Sequence, residues 1–207
     1  MTHWERWHQD YADPGSSLSR RLAAVQVRLV EALDGAPPGP VRLLSACAGQ
    51  GHDVVGALRD HPRRSDVHGR LVELDPANAA AARLALAEAG LALDVLEADA
   101  GTTDAFVGAV PADLVLLCGI FGNVPDDDVE RTVRSAVQLC APGATLLWTR
   151  HRRDPDLTPG IRRWFAESGF AELAFDSPGP GGYAVGTVRL TGEPAPLVPG
   201  QRLFRFG

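Results

Sequence analysis

Five short apolar runs, each separated from the next by a stretch of helical pattern, constrain this chain more than any other feature. Residues 41–45, 69–75, 93–97, 112–118 and 144–149 read as strands, and the fourth, Ala112 to Cys118, is apolar enough to be buried on both faces. Between and after them, helical patterns cover residues 54–59, the alanine-rich 78–89, 103–110, a segment opening at Pro125, and 159–168. Asp126, Asp127 and Asp128 fall in the first turn after Pro125, where the helix dipole favours acids. This alternation predicts an α/β fold, a parallel sheet with helices on both faces and right-handed connections. Residues 170–175 and 183–190 are two further strands joined by a Pro/Gly-rich loop too short for a helical crossover, so they should run antiparallel. Ligands of such sheets bind at the carboxyl ends of the strands, near the switch in strand order, so the residues just after each strand carry the functional information.

Ahead of the first strand, residues 19–33 place Leu22, Val25, Leu29 and Leu33 at helical spacing, with Ser17 or Ser19 as cap. The Pro/Gly connector 34–40 separates this helix from the sheet, which divides the chain into a helical N-terminal cap, 1–40, and a Rossmann-like binding domain, 41–207. Trp4, Trp7, His8 and Tyr11 could fold over a pocket and exclude water. A length of 207 residues suits this organisation, and a net charge of -6 argues against a nucleic-acid partner, whose phosphates need a basic footprint. The chain contains no lysine. Cys47, Cys118 and Cys140 form no CxxC pair, and the histidines have no metal-ligand spacing, so neither disulfides nor a metal site is expected. No run approaches the roughly 20 apolar residues that span a bilayer, and the N-terminus lacks a secretory core, so a cytoplasmic location is expected. The acceptor and the oligomeric state have no sequence signature.

The loop after the first strand reads Ser45-Ala46-Cys47-Ala48-Gly49-Gln50-Gly51-His52. Small residues there let a ligand approach the backbone, and the N–H groups of the following helix start point at it. Both a dinucleotide and S-adenosylmethionine fit such a loop. A dinucleotide prefers GxGxxG, and the third glycine is missing here. Asp75, followed by Pro76, closes the second strand where an acid commonly takes ribose hydroxyls. It could equally cap the next helix. Asp99, followed by Ala100, closes the third strand, where a carboxylate could accept an adenine amino group.

In order and spacing, these segments resemble the class I S-adenosylmethionine-dependent methyltransferase family over roughly residues 41–190. Gly49 and Gly51 match its glycine loop, Leu71 to Asp75 its second motif, and Glu97-Ala98-Asp99-Ala100 its third. Ala112 to Gly119 match the fourth, and Pro142-Gly143 leading into an apolar strand the fifth. Two positions depart: Ser45 stands where the family has an acid, and Cys47 where it has a glycine. The resemblance implies a seven-stranded, mostly parallel sheet whose last strand is antiparallel. It also implies S-adenosylmethionine as cofactor and S-adenosylhomocysteine as product. Ser45, Ala46, Cys47, Gly49, Gly51, Asp75, Pro76, Asp99, Ala100, Cys118, Gly119 and Phe121 would line the cofactor. Tyr11, with Arg20 or Arg21, would meet its carboxylate, and something other than Ser45 must hold its ammonium group.

In place of the Asn/Asp-Pro-Pro-Tyr/Phe motif of nucleobase amino-methylating enzymes stands Gly119-Ile120-Phe121-Gly122-Asn123. Asn123 could hydrogen-bond a substrate, and His151, after the fifth strand, could act as general base. The arginines around His151 could attract an acidic substrate. The expectation is methyl transfer to a small-molecule acceptor. The alternatives are a nicotinamide-dependent oxidoreductase and a non-catalytic protein of the same fold.

Overall fold

The structure, a computed structural model, describes residues 16–206. Ser16 caps the first helix, α1 (Ser17–Asp34), its hydroxyl accepting from Ser19 N–H at 2.9 Å. The cap therefore lies before the expected Ser17 or Ser19, because Ser16 keeps the extended backbone (φ -66, ψ 152) that an N-cap needs. Val25, Leu29 and Leu33, spaced by four, turn one face of α1 onto the sheet.

The sheet is built from β1 (Val41–Ala46), β2 (Val67–Glu73), β3 (Leu93–Glu97), β4 (Ala112–Leu117), β5 (Cys140–His151), β6 (Phe170–Asp176) and β7 (Tyr183–Leu190). Their order is β3-β2-β1-β4-β5-β7-β6. β1 to β5 pair in parallel, and β7 runs antiparallel to both β5 and β6. The order switches between β1 and β4, so a crevice opens at their carboxyl ends. Asp113 ties these two strands near their start, its carboxylate accepting from Arg42 N–H at 2.7 Å.

Helices α2 (His52–Leu58) and α3 (Pro76–Ala89) join α1 over one face, where Leu43, Leu71, Leu114 and Leu147 point. Helices α4 (Asp126–Ser135) and α5 (Thr158–Glu167) cover the other, packing Val129, Val133, Ile161 and Phe165 around Trp148. Trp148 lies flat across Gly186 of β7: a Cβ there would come within 2.2 Å of the indole.

Three expected elements differ. β2 stops at Glu73, because Asp75 leaves the strand to cap α3. Residues 103–110 make only a 3-10 turn, Thr103–Phe106, since Gly108 takes a left-handed φ of 78° and Pro111 follows. β5 begins at Cys140, before the Pro142-Gly143 turn, and a register shift absorbs that turn. No described helix is long and apolar enough to cross a membrane.

Candidate functional site

At the end of β1 the chain turns sharply. Ala48 N–H bonds to Val72 O at 2.9 Å, and Gly51 N–H returns to Ala48 O at 2.9 Å. Cys47, Gly49 and Gly51 all hold positive φ, at 54°, 56° and 75°. Cys47 is the only described residue other than glycine to do so, a conformation that disfavours a side chain. A Cβ on Gly49 would meet nothing within 4 Å, so the turn presents bare backbone to open space. The same is true of Gly119 (φ 74°), which follows β4 on the other side of the crevice. Thr149, buried in β5, pins that second turn by accepting from Gly119 N–H at 2.8 Å.

Glu73, the last residue of β2, is buried against the first turn. Its two carboxylate oxygens accept from Gly49 N–H at 2.7 Å and from Asp75 N–H at 2.9 Å. Each oxygen keeps a further lone pair for a ligand hydroxyl. Asp75 is exposed and accepts from Ala77 and Asn78 N–H at 2.8 and 2.9 Å, while Pro76 opens α3.

Asp99, just after β3, accepts from Gly101 N–H at 2.8 Å and pairs with Arg202 at 2.5 Å. Burial disfavours its charge, but Arg202 and the Gly101 N–H outweigh that and hold the carboxyl below its usual range. Burial, with the charges of Glu73 and Asp99, pushes the Cys47 thiol well up, so it is neutral. Cys118, on the far side, is likewise raised by burial and by Asp53, against the influence of Arg21. The Asp53 carboxyl is itself raised by burial, partly offset by its own and Val54's N–H groups and by Arg21. Arg21, Asp53 and Cys118 are thus in electrostatic reach of one another at the mouth between β1 and β4.

On the β4–β5 side, Asn123 folds its amide onto Gly119 O at 2.7 Å. Arg150, buried at the end of β5, donates to Phe121 O and to Asp126 at 3.1 Å, and its Nε has no hydrogen-bond partner. His151 lies over Gly122, where a Cβ would approach its ring to 3.1 Å. Burial, Arg150 and Arg153 hold its pKa below 6.5. Its Nδ1 accepts from Arg153 N–H at 3.3 Å, which leaves the neutral ring with its proton on Nε2.

No family model matches the chain, and no curated protein matches its sequence. Solved structures do match. A magnesium protoporphyrin IX methyltransferase from Synechocystis PCC 6803, solved with S-adenosylmethionine bound, superposes with a TM-score of 0.68 at 11% identity, covering 91% of each chain. The fold is that of class I methyltransferases. An O-methyltransferase family protein from Burkholderia thailandensis gives 0.62 at 18% identity, over 83% of this chain and 57% of that one, so this chain spans little more than half of that neighbour's length. The 4+2 cyclase SpnF gives 0.59 at 15% identity, over 81% and 80%.

Of the expected site residues, Cys47, Gly49, Gly51, Asp99, Cys118, Gly119, Asn123 and His151 lie at the carboxyl ends of β1, β3, β4 and β5 or in the loops that follow them. Ser45 and Ala46 are buried strand residues that reach the crevice only through backbone, as does the buried Ala100. Phe121 does not line the crevice. It is fully buried, 6.2 Å from Trp148, because the tight turn at Gly119 directs it into the core. Arg20 is exposed, whereas Arg21, four residues before Val25, shares the buried face of α1. Tyr11, like Trp4, Trp7 and His8, lies outside the described residues. Glu73 was not expected. The Asp75-Pro76 pair, a cap followed by an N1 proline, could have identified it, since that pairing leaves Glu73 as the last acid of the strand.

Proposed function

We propose that this chain is an S-adenosylmethionine-dependent methyltransferase acting on a small-molecule acceptor. The observation that carries the reading is the pair of bare glycine turns, Gly49 and Gly119, facing open space across the switch point, with the Glu73 carboxylate behind the first. When bound, S-adenosylmethionine supplies an electrophilic methyl group on its sulfonium. Glu73 would accept from the ribose hydroxyls and Asp99 from the adenine amino group. Arg21 would meet the carboxylate of the amino-acid end, and Asp53 would accept from its ammonium group, whose charge offsets the burial that raises the Asp53 carboxyl; this answers the missing acid at Ser45. A dinucleotide fits less well, because Glu73 already holds the Gly49 N–H that a pyrophosphate would need.

The acceptor would enter beside Gly119, Asn123 and His151. There the chain's task is positioning and water exclusion more than bond polarisation. His151 presents Nε2–H and is suited to hold an acceptor oxygen. It can take a proton only after Nδ1 leaves Arg153 or the tautomer exchanges. The acidic chain favours a small molecule over a nucleic acid as acceptor.

Incubation with methyl-labelled S-adenosylmethionine and a fractionated cell extract tests this reading. Label should appear in the small-molecule fraction. Label in RNA or protein would refute the acceptor class. A second reading, a reaction other than methyl transfer on the same fold, is favoured by the engaged Nδ1 of His151. Binding of S-adenosylhomocysteine with no label transferred to any fraction would support it.

A further inference from the structure

The last described residues return to the crevice. Thr103 N–H bonds to Gln201 O at 3.0 Å and Leu203 N–H to Gly101 O at 2.8 Å, with an antiparallel bridge between Thr102 and Arg202. Leu203 and Phe204 are buried in the core beneath α4, and Arg205 N–H bonds to Asp128 at 2.9 Å. This segment therefore stays in place through backbone bonds and two apolar anchors, none of which involves the Arg202 side chain. The Arg202 guanidinium reaches Asp99 across 103 residues of sequence.

We infer that residues 198–206 form a wall of the adenine pocket, in which Arg202 is the positioning residue that fixes the Asp99 carboxylate toward the base. This rests on the methyltransferase reading above. With one oxygen held by Gly101 N–H and the other by Arg202, the carboxylate plane has no rotational freedom left. Asp99 nonetheless remains 45% exposed and Arg202 38%, so an unshared lone pair on each oxygen is open to a ligand donor. An ion pair this exposed contributes little to folding, which separates its effect on binding from any effect on stability. Gly101 permits the arrangement. A Cβ there would lie 2.5 Å from Phe204 O, 2.8 Å from Asp99 Oδ1 and 3.0 Å from Arg202 Nη1, so a side chain would push the wall away.

The test is calorimetric titration of the full chain and its Arg202→Ala and Arg202→Lys variants with two ligands. One is S-adenosylhomocysteine, the other its analogue with unsubstituted purine in place of adenine. Arg202→Ala should weaken S-adenosylhomocysteine roughly tenfold. It should leave the purine analogue unchanged, because that base has no amino group to donate, and Arg202→Lys should restore part of the loss. Asp99→Asn, which keeps the shape, should show the same adenine-specific loss and should not add to Arg202→Ala. Equal weakening of both ligands would reduce Arg202 to general support and overturn the inference. So would unchanged S-adenosylhomocysteine affinity in Arg202→Ala. Failure of the unmodified chain to bind S-adenosylhomocysteine would instead remove the methyltransferase reading, and this inference with it.

Discussion

The two halves of the crevice are made differently. Beyond β1, β2 and β3, two carboxylates are fixed by backbone N–H groups and, at Asp99, by an arginine. Beyond β4 and β5, no carboxylate is fixed in this way, and three neutral groups follow the strands: a glycine turn, an amide folded onto its own loop, and an uncharged imidazole. Of the arginines in that half, Arg150 is buried and bonded to a backbone carbonyl, supporting the loop from beneath, and Arg153 is exposed beside His151. Fixed acids suit a ligand whose hydroxyl and amino donors never change. Neutral, loop-borne groups suit the partner that varies between enzymes of one fold. Under the proposed function, the cofactor would occupy the first half and the acceptor the second.

The largest expected effect tests the rigid half. Glu73→Ala should lower S-adenosylhomocysteine affinity by about 3 kcal/mol, since it removes a charged acceptor and frees the Gly49 turn. Asp75→Ala, two residues on, should leave that affinity nearly intact and cost about 1 kcal/mol of stability as a lost helix cap, read by thermal unfolding. Equal affinity losses in the two variants would erase the distinction between a site acid and a cap.

In the neutral half, Arg150→Ala should destabilise the protein by roughly 2–3 kcal/mol, because it strips Phe121 O and Asp126 of a buried charged partner. Turnover should fall with little change in S-adenosylhomocysteine affinity. A matching loss of affinity would show that the halves are not separable. Cys47→Gly should have a smaller effect of opposite sign: release of the positive φ stabilises by up to about 1 kcal/mol in chemical denaturation. A destabilised variant would mean that thiol packing outweighs backbone strain.

The smallest effect is one of pH. The native state holds His151 below its unfolded pKa of about 6.5, so it binds fewer protons than the unfolded chain. Its contribution to stability is full above that value and declines as pH falls through it toward the lower folded value. Comparing the pH dependence of unfolding with that of His151→Gln should show this slope only in the unsubstituted protein. A slope of opposite sign would mean that Asp156 and Asp126 outweigh burial and the two arginines at His151.

How much of this could be read in the sequence follows from the range of the interactions. The strands were legible because an apolar run flanked by turn residues is a local signal, and the antiparallel β6–β7 pair because its linking loop is short. The sequence reading left Arg20 and Arg21 open, although the phase set by Val25, Leu29 and Leu33 puts Arg21, not Arg20, on the inner face of α1. Three features were not. Glu73 was hidden by its neighbour, since Asp75 has the same charge and only its cap geometry removes it from the strand. Phe121 could face either side of a glycine turn until that turn's direction was known. Residues 191–206 have neither strand nor helix period, and Arg202 finds its partner 103 residues away, where no local pattern can point.

The central claim is that the crevice is built for S-adenosylmethionine and not for a dinucleotide. Titration of the full chain with S-adenosylhomocysteine and, separately, with NAD tests it most directly. The expected result is saturable binding of one S-adenosylhomocysteine per chain and no heat of binding from NAD. Saturable NAD binding, with no binding of S-adenosylhomocysteine, would contradict it.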